Sequence, residues 1–178
     1  MTSNSFPRGR SHLQRKRVRV LLRGGPALEG VIHVPDGQPL LHFLGMKRYF
    51  VNLTDVLGSD SGGGESAVDH LSLRLSNLVW MIPLDETLHI STAPPPADSS
   101  RTVELQLVDG LTLRVTLNIS SEQRMSDYLD SNPGFLPLWK ARVPGTSEFI
   151  ERLAVNHEAI LAIRELGREA TDDIAGKG

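Results

Sequence analysis

The feature that most restricts the fold of this chain is a match to itself. Residues 18–53 align with 103–138 at a constant spacing of 85, without a gap. Eight of the 36 positions are identical: Val18, Leu22, Gly25, Leu28, Gln38, Leu44, Phe50 and Leu53 recur as Val103, Leu107, Gly110, Leu113, Gln123, Leu129, Phe135 and Leu138. Unrelated segments of this length would share roughly two or three, so the match reads as an internal duplication. The remainder aligns at a spacing of 79, pairing Asn77 with Asn156 and "WMIPL" (80–84) with "AILAI" (159–163). The change of spacing falls in "GSDSGGGES" (58–66), a flexible loop by composition. Between the copies, the prolines of "STAPPPADSS" (91–100) make a semi-extended linker.

Each copy carries the same local signals. "VELQL" (103–107) and "LTLRVTLNI" (111–119) alternate apolar and polar residues around "VDG", and two such runs about Asp-Gly predict a hairpin. "RVRVLL", "RGG" and "LEGVIHV" repeat the plan in the first copy. Next come apolar triplets at i, i+3 and i+4: Leu40, Phe43 and Leu44, then Met125, Tyr128 and Leu129. That spacing puts three side chains on one face of a single helical turn. Pro39 suits the first helical position and Gly45 the residue past the end, while Pro133 blocks continuation. Strands are expected to begin at Phe50 and Phe135, followed by two more in each copy, over 71–75 and 79–84, then 149–155 and 159–164.

The fold expected is therefore mainly β: two tandem small β-barrel-like repeats, each of five strands with one short helix after the first hairpin. A unit of about 65 residues is marginal alone, and either closure of its edges or packing of the two copies would stabilise it. The chain divides into a flexible basic arm (1–14), a first β repeat (15–90, with the Gly-rich loop 58–66), a Pro-rich linker (91–101), a second β repeat (102–168) and a flexible tail (169–178). The two helical segments read as a lid or plug. They share their apolar triplet and differ on the polar face, His42 against Asp127 and Lys47-Arg48 against Asn132-Pro133. Function is expected where the copies differ.

Composition narrows the chemistry. With no cysteine, disulfides, thiolate metal sites and a cysteine nucleophile are excluded, and a reducing, cytoplasmic setting is favoured. The apolar run "VRVLL" (18–22) is too short for a signal-peptide core or a membrane span. The six histidines show no i, i+3 or i+4 pairing, no G-x-S-x-G elbow occurs, and "SGGGES" lacks the Lys-Ser/Thr of a phosphate-binding loop. No catalytic, metal or cofactor residues are assigned, and a non-enzymatic protein is expected.

The net charge of -2 conceals an asymmetry, because residues 1–23 carry seven basic and no acidic side chains. Arg15, Arg17 and Arg19 would share one side of a strand, with Val18 and Val20 on the other, and such a row can clamp phosphates. Arg15 and Arg19 form R-x-x-x-R before a first strand, which resembles the opening of PilZ domains, receptors for cyclic di-GMP. That resemblance implies a second motif, D/N-x-S-x-x-G. In the second copy Asn118 and Ser120 fit it, with Gln123 in place of the glycine; "VPDGQP" in the first copy does not match. The candidate anion or nucleotide ligands are thus Arg15, Arg17, Arg19, Asn118 and Ser120. More broadly, the hairpin, the "MSDYL" turn and the final "LAVNHEAILAIREL" resemble small barrel domains of uncharacterised function in bacteria. Asn156, Ile160 and Ile163 form an N-x-x-x-I-x-x-I ending similar to that of Sm-like barrels.

The function expected is a cytoplasmic, regulatory or scaffold protein that binds a protein partner or itself. The alternative is a nucleotide (cyclic di-GMP-like) or nucleic-acid binder using the N-terminal arginines. Their signature would be affinity that falls steeply with salt.

Overall fold

A computed structural model describes residues 12–59, 65–91, 100–120 and 122–166. Most of the basic arm, the centre of the Gly-rich loop, the Pro-rich stretch 92–99 and the tail lie outside the described residues.

In the first half, alternation produces strand β1 (Leu13–Leu22), in which Val18 and Val20 are buried while Arg15 and Arg17 stay exposed. It forms a hairpin with β2 (Ala27–Pro35), in register from Leu13 opposite Pro35 to Leu21 opposite Ala27. The short helix α1 (Leu40–Gly45) follows and buries Leu40, Phe43 and Leu44, as the i, i+3, i+4 spacing predicts. Strands β3 (Phe50–Ser59) and β4 (Glu65–Arg74) form the next hairpin. A 3-10 turn over Leu75–Asn77 then leads into the fully buried β5 (Leu78–Pro83).

The second half repeats this order with β6 (Ser100–Leu107), β7 (Thr112–Asn118), helix α2 (Met125–Asp130), β8 (Phe135–Arg142), β9 (Phe149–Asn156), a 3-10 turn over His157–Ala159, and β10 (Ile160–Glu165).

The agreement extends to register. Phe50 lies opposite Arg74 and Phe135 opposite Asn156; Val20 lies opposite Met81 and Leu105 opposite Ile163. The β2·β3 ladder breaks between Glu29 and Val31, and the β7·β8 ladder between Arg114 and Thr116. Beside those breaks Asp55 and Lys140 both take left-handed backbone, with φ of 50° and 53°. A non-glycine residue adopts that region rarely, and here the bulge re-aims the strand in both halves.

The ladders correct part of the sequence alignment. After β3 and β8 the corresponding residues are Arg74 and Asn156, not Asn77 and Asn156, and β5 corresponds to β10 residue by residue at a spacing of 82. Apolar periodicity could not show this, because a shift of three residues still lays one apolar run on another. Boundaries also move. Leu13 and Gln14 belong to β1 instead of the arm, and Ser100 and Arg101 belong to β6 instead of the linker. Pro39 is the residue before α1, and Gly45 is its last residue.

All ten strands join one antiparallel sheet in the order β10-β6-β7-β8-β9-β5-β1-β2-β3-β4. The halves meet where β5 pairs with β9, Trp80 opposite Val155 and Met81 opposite Ala154. The protein is thus mainly β, but the described sheet is open: β5 and β9 direct their backbone groups to each other instead of each closing its own half. Two apolar cores form. One gathers Val18, Val20, Ile32, Leu40, Phe43, Leu44, Leu53 and Met81; the other gathers Val103, Leu105, Leu113, Leu117, Tyr128, Leu138 and Leu153. Each borrows across the junction, since Val79, Trp80 and Ile82 of β5 belong to the second core and Ala154 of β9 to the first. Burying an apolar side chain of valine size or larger contributes roughly 1.5–3 kcal/mol, so the exchange ties the halves together.

Candidate functional site

The segments that differ between the halves come together at the junction. α1 turns its apolar triplet into the core and leaves His42 exposed. In the turn that follows, the Lys47 ammonium sits 4.5 Å from the centre of the Phe43 ring, and the Arg48 guanidinium 5.1 Å from that of Tyr49. Cation–π attraction of this kind holds long basic side chains near one position. Tyr49 is 54% exposed, and its carbonyl accepts a hydrogen bond from the Leu75 amide at 2.8 Å. Arg74, at the end of β4, reaches the same mouth.

The facing wall is the turn after α2, Ser131–Gly134, followed by Phe135. The Asn132 side chain donates to the Tyr128 carbonyl at 2.7 Å, which closes the helix. Gly134 has φ of +91°, a conformation that a side chain would strain, and its carbonyl accepts from the His157 amide at 2.7 Å. The same backbone bond serves Tyr49 in the first half, so one wall presents an aromatic ring where the other presents none. Asn156 lies at the base and is buried. Its Nδ2 donates to the carbonyls of Leu75 at 3.0 Å and Leu78 at 2.9 Å, while its Oδ1 accepts from the Glu158 amide at 3.0 Å. One side chain of the second half thereby satisfies two carbonyls of the first.

The result is a groove of about 810 Å³ between the halves. Lys47, Arg48 and Arg74 line it against a single carboxylate, Glu158, and His42 lies on its rim. Among the described residues none of those three cations has a carboxylate partner. No group of three or more His, Asp or Glu side chains with metal-holding geometry occurs among the described residues.

The candidates named from sequence lie elsewhere. Arg15, Arg17 and Arg19 do line one side of β1, but acids of β2 and β3 meet them. Arg15 pairs with Asp55; Arg19 donates from Nε at 2.9 Å and from a terminal nitrogen at 2.7 Å to Glu29, with Arg17 3.6 Å from the same carboxylate. Asn118 ends β7, and the Ser120 carbonyl accepts from Arg101 at 3.0 Å. Between β7 and β1 stand β8, β9 and β5, so the two portions of the PilZ-like pattern sit on strands that are not neighbours. Sequence reading missed Arg74 and Tyr49, and it marked Asn156 only as part of the barrel-like ending. The signal it held was the contrast of Lys47-Arg48 with Asn132-Pro133, and both pairs line the groove.

Comparisons with protein-family models, with characterised proteins and with solved structures find no match to this chain. Among the described residues no helix is long and apolar enough to cross a membrane.

Proposed function

We propose that this chain is a non-enzymatic binding or scaffold protein of the cytoplasm, a tandem duplication of a small barrel-like β module whose ligand site is the groove between the copies. Its ligand is an acidic peptide segment of a protein partner. The observation that carries the reading is the contrast between two basic clusters. The β1 arginines are matched by Glu29 and Asp55, whereas Lys47, Arg48 and Arg74 line a concave surface and have no carboxylate partner among the described residues. A partner's carboxylates would supply charge-assisted hydrogen bonds there, and the apolar parts of Leu41 and Phe135 would cover its backbone. Nothing in this mechanism requires bond cleavage.

A nucleic-acid or cyclic-dinucleotide ligand is the second reading, and the exposed Tyr49 ring beside Arg48 favours it, because such a pair can stack on a base. Titration of the full chain with a labelled acidic peptide, a single-stranded oligonucleotide and cyclic di-GMP, at low and raised salt, separates the two. We expect saturable peptide binding that is lost in the Lys47→Glu/Arg48→Glu variant and kept when Arg15, Arg17 and Arg19 are all alanine. Preference for the oligonucleotide or dinucleotide would transfer the site to the second reading. Binding that ignores Lys47 and Arg48, or no saturable binding at low salt, would remove the groove as the site.

A further inference from the structure

The junction that joins β5 to β9 has unused counterparts at both ends of the sheet. Register identifies them: β10 occupies in the second half the place of β5, and β4 occupies in the first half the place of β9. These are the two terminal strands of the sheet.

The side chains at those ends have the character of an unfilled junction. On β5, Leu78 and Met81 face their own core while Val79 and Trp80 pack into the neighbouring one. On β10, Ile160 and Ile163 likewise pack on their own core, but Leu161, at the position of Val79, is 67% exposed where Val79 is 0% exposed. At the other end, Phe50 is 54% exposed, whereas its counterpart Phe135 is half-buried against the core of the first half. Val68 is 42% exposed where its counterpart Ile150 is 8% exposed. Three positions that are covered inside the molecule are therefore apolar and bare at its ends.

We propose that a second copy of this chain docks head to tail, its β4 edge on the β10 edge of the first, in the register of the internal junction. Ala162 then lies opposite Leu73 of the second copy, as Trp80 lies opposite Val155, and Ile163 opposite Ser72, as Met81 lies opposite Ala154. Ladder hydrogen bonds join the outer edges of β10 and β4, which have no strand partner among the described residues, and Leu161 and Phe50 leave water. Because the two surfaces differ, the contact is heterologous. Addition of further copies gives a ring where the rotation closes and a filament where it does not. The proposal is independent of what the groove binds.

Leu161→Asp and Phe50→Asp each disable one end and leave the other intact, at exposed positions where folding tolerates the change. Light scattering over a concentration series should give the wild-type chain a mass rising above 19.5 kDa, with each variant associating at least ~10-fold more weakly. An equimolar mixture of the two variants should recover dimers and nothing larger, since one intact end of each kind remains. The chain has no cysteine, so Ser72→Cys and Ile163→Cys, introduced in separate copies, should form a disulfide under mild oxidation. A wild-type mass that stays monomeric at every concentration overturns the proposal. So does association that survives both aspartate variants, or a mixture that fails to form dimers.

Discussion

The two halves keep the same ladder and solve its interior differently. At Gly30 an added Cβ would come within 2.9 Å of Leu53 Cδ2 and 3.3 Å of Val56 Cγ2, so the first half places its bulk on β3. The corresponding positions in the second half are Val115 on β7 and Ala141 on β8, so the bulk has moved to the partner strand. Total volume changes by a single methyl group while its owner changes, which is what close packing demands of a shared backbone. The junction shows the opposite behaviour. Trp80 corresponds to Ala162, Arg74 to Asn156 and Tyr49 to Gly134, in each case a large side chain in the first half against a smaller residue in the second. Interior positions therefore answer to the fold, and junction positions answer to whatever lies beside them.

The largest test of that contrast is Trp80→Ala. It should cost about 3–5 kcal/mol in denaturant unfolding, since it empties a site in the core of the other half. Ala162→Ser at the corresponding free edge should stay within about 0.5 kcal/mol. A small loss at Trp80 would mean that the halves stand without their junction.

Asn156→Ala should cost about 1–3 kcal/mol, because the Leu78 carbonyl loses its side-chain donor and the Leu75 carbonyl keeps only the Leu78 amide. Arg74→Ala, at the same ladder position of the first half, should cost no more than about 0.5 kcal/mol. Equal losses would show that the position matters to each half and not to their joining.

Volume exchange is sharpened by a double-mutant cycle. Gly30→Val alone should destabilise by about 1–3 kcal/mol through overpacking. Adding Val56→Ala reproduces the second half's arrangement and should return at least ~1 kcal/mol of favourable coupling. Additive losses would end the compensation argument.

The smallest effect concerns Tyr128, which stands where the first half has Phe43. Burial raises the pKa of the Tyr128 hydroxyl, so the folded chain holds this proton when the unfolded chain has begun to lose it. Its contribution is fully present below the unfolded value of about 10 and declines as pH rises above it. Tyr128→Phe should lessen the alkaline loss in a stability–pH profile and leave stability near neutral pH almost unchanged. An unaltered profile would mean that burial at this position does not couple to the proton.

Local patterns made much of the fold legible. Both helices fall at the apolar triplets, the first hairpins flank Gly24-Gly25 and Asp109-Gly110, and Phe50 and Phe135 do begin strands. The candidate site was legible only as a difference, Lys47-Arg48 against Asn132-Pro133. Arg74 carried no sign and Asn156 only that of a strand-turn-strand ending, because the importance of both at the groove depends on which turn lies across it. The β1 arginines misled for a related reason. Their spacing puts them on one side of a strand, but the acids that meet them, Glu29 and Asp55, arrive through strand pairing.

By itself the sequence determined periodicity: which side chains face inward along each strand, where the chain turns, and that one order of elements occurs twice. Alternation and the helical triplet are set by neighbours a few residues apart, so they can be read without the fold. Tertiary structure alone decided that β5 joins β9, that two differing turns enclose one groove, and that β4 and β10 end the sheet with apolar residues bare. Those outcomes rest on hydrogen bonds and burial between residues far apart in the chain, and no local period encodes which strand edge meets which.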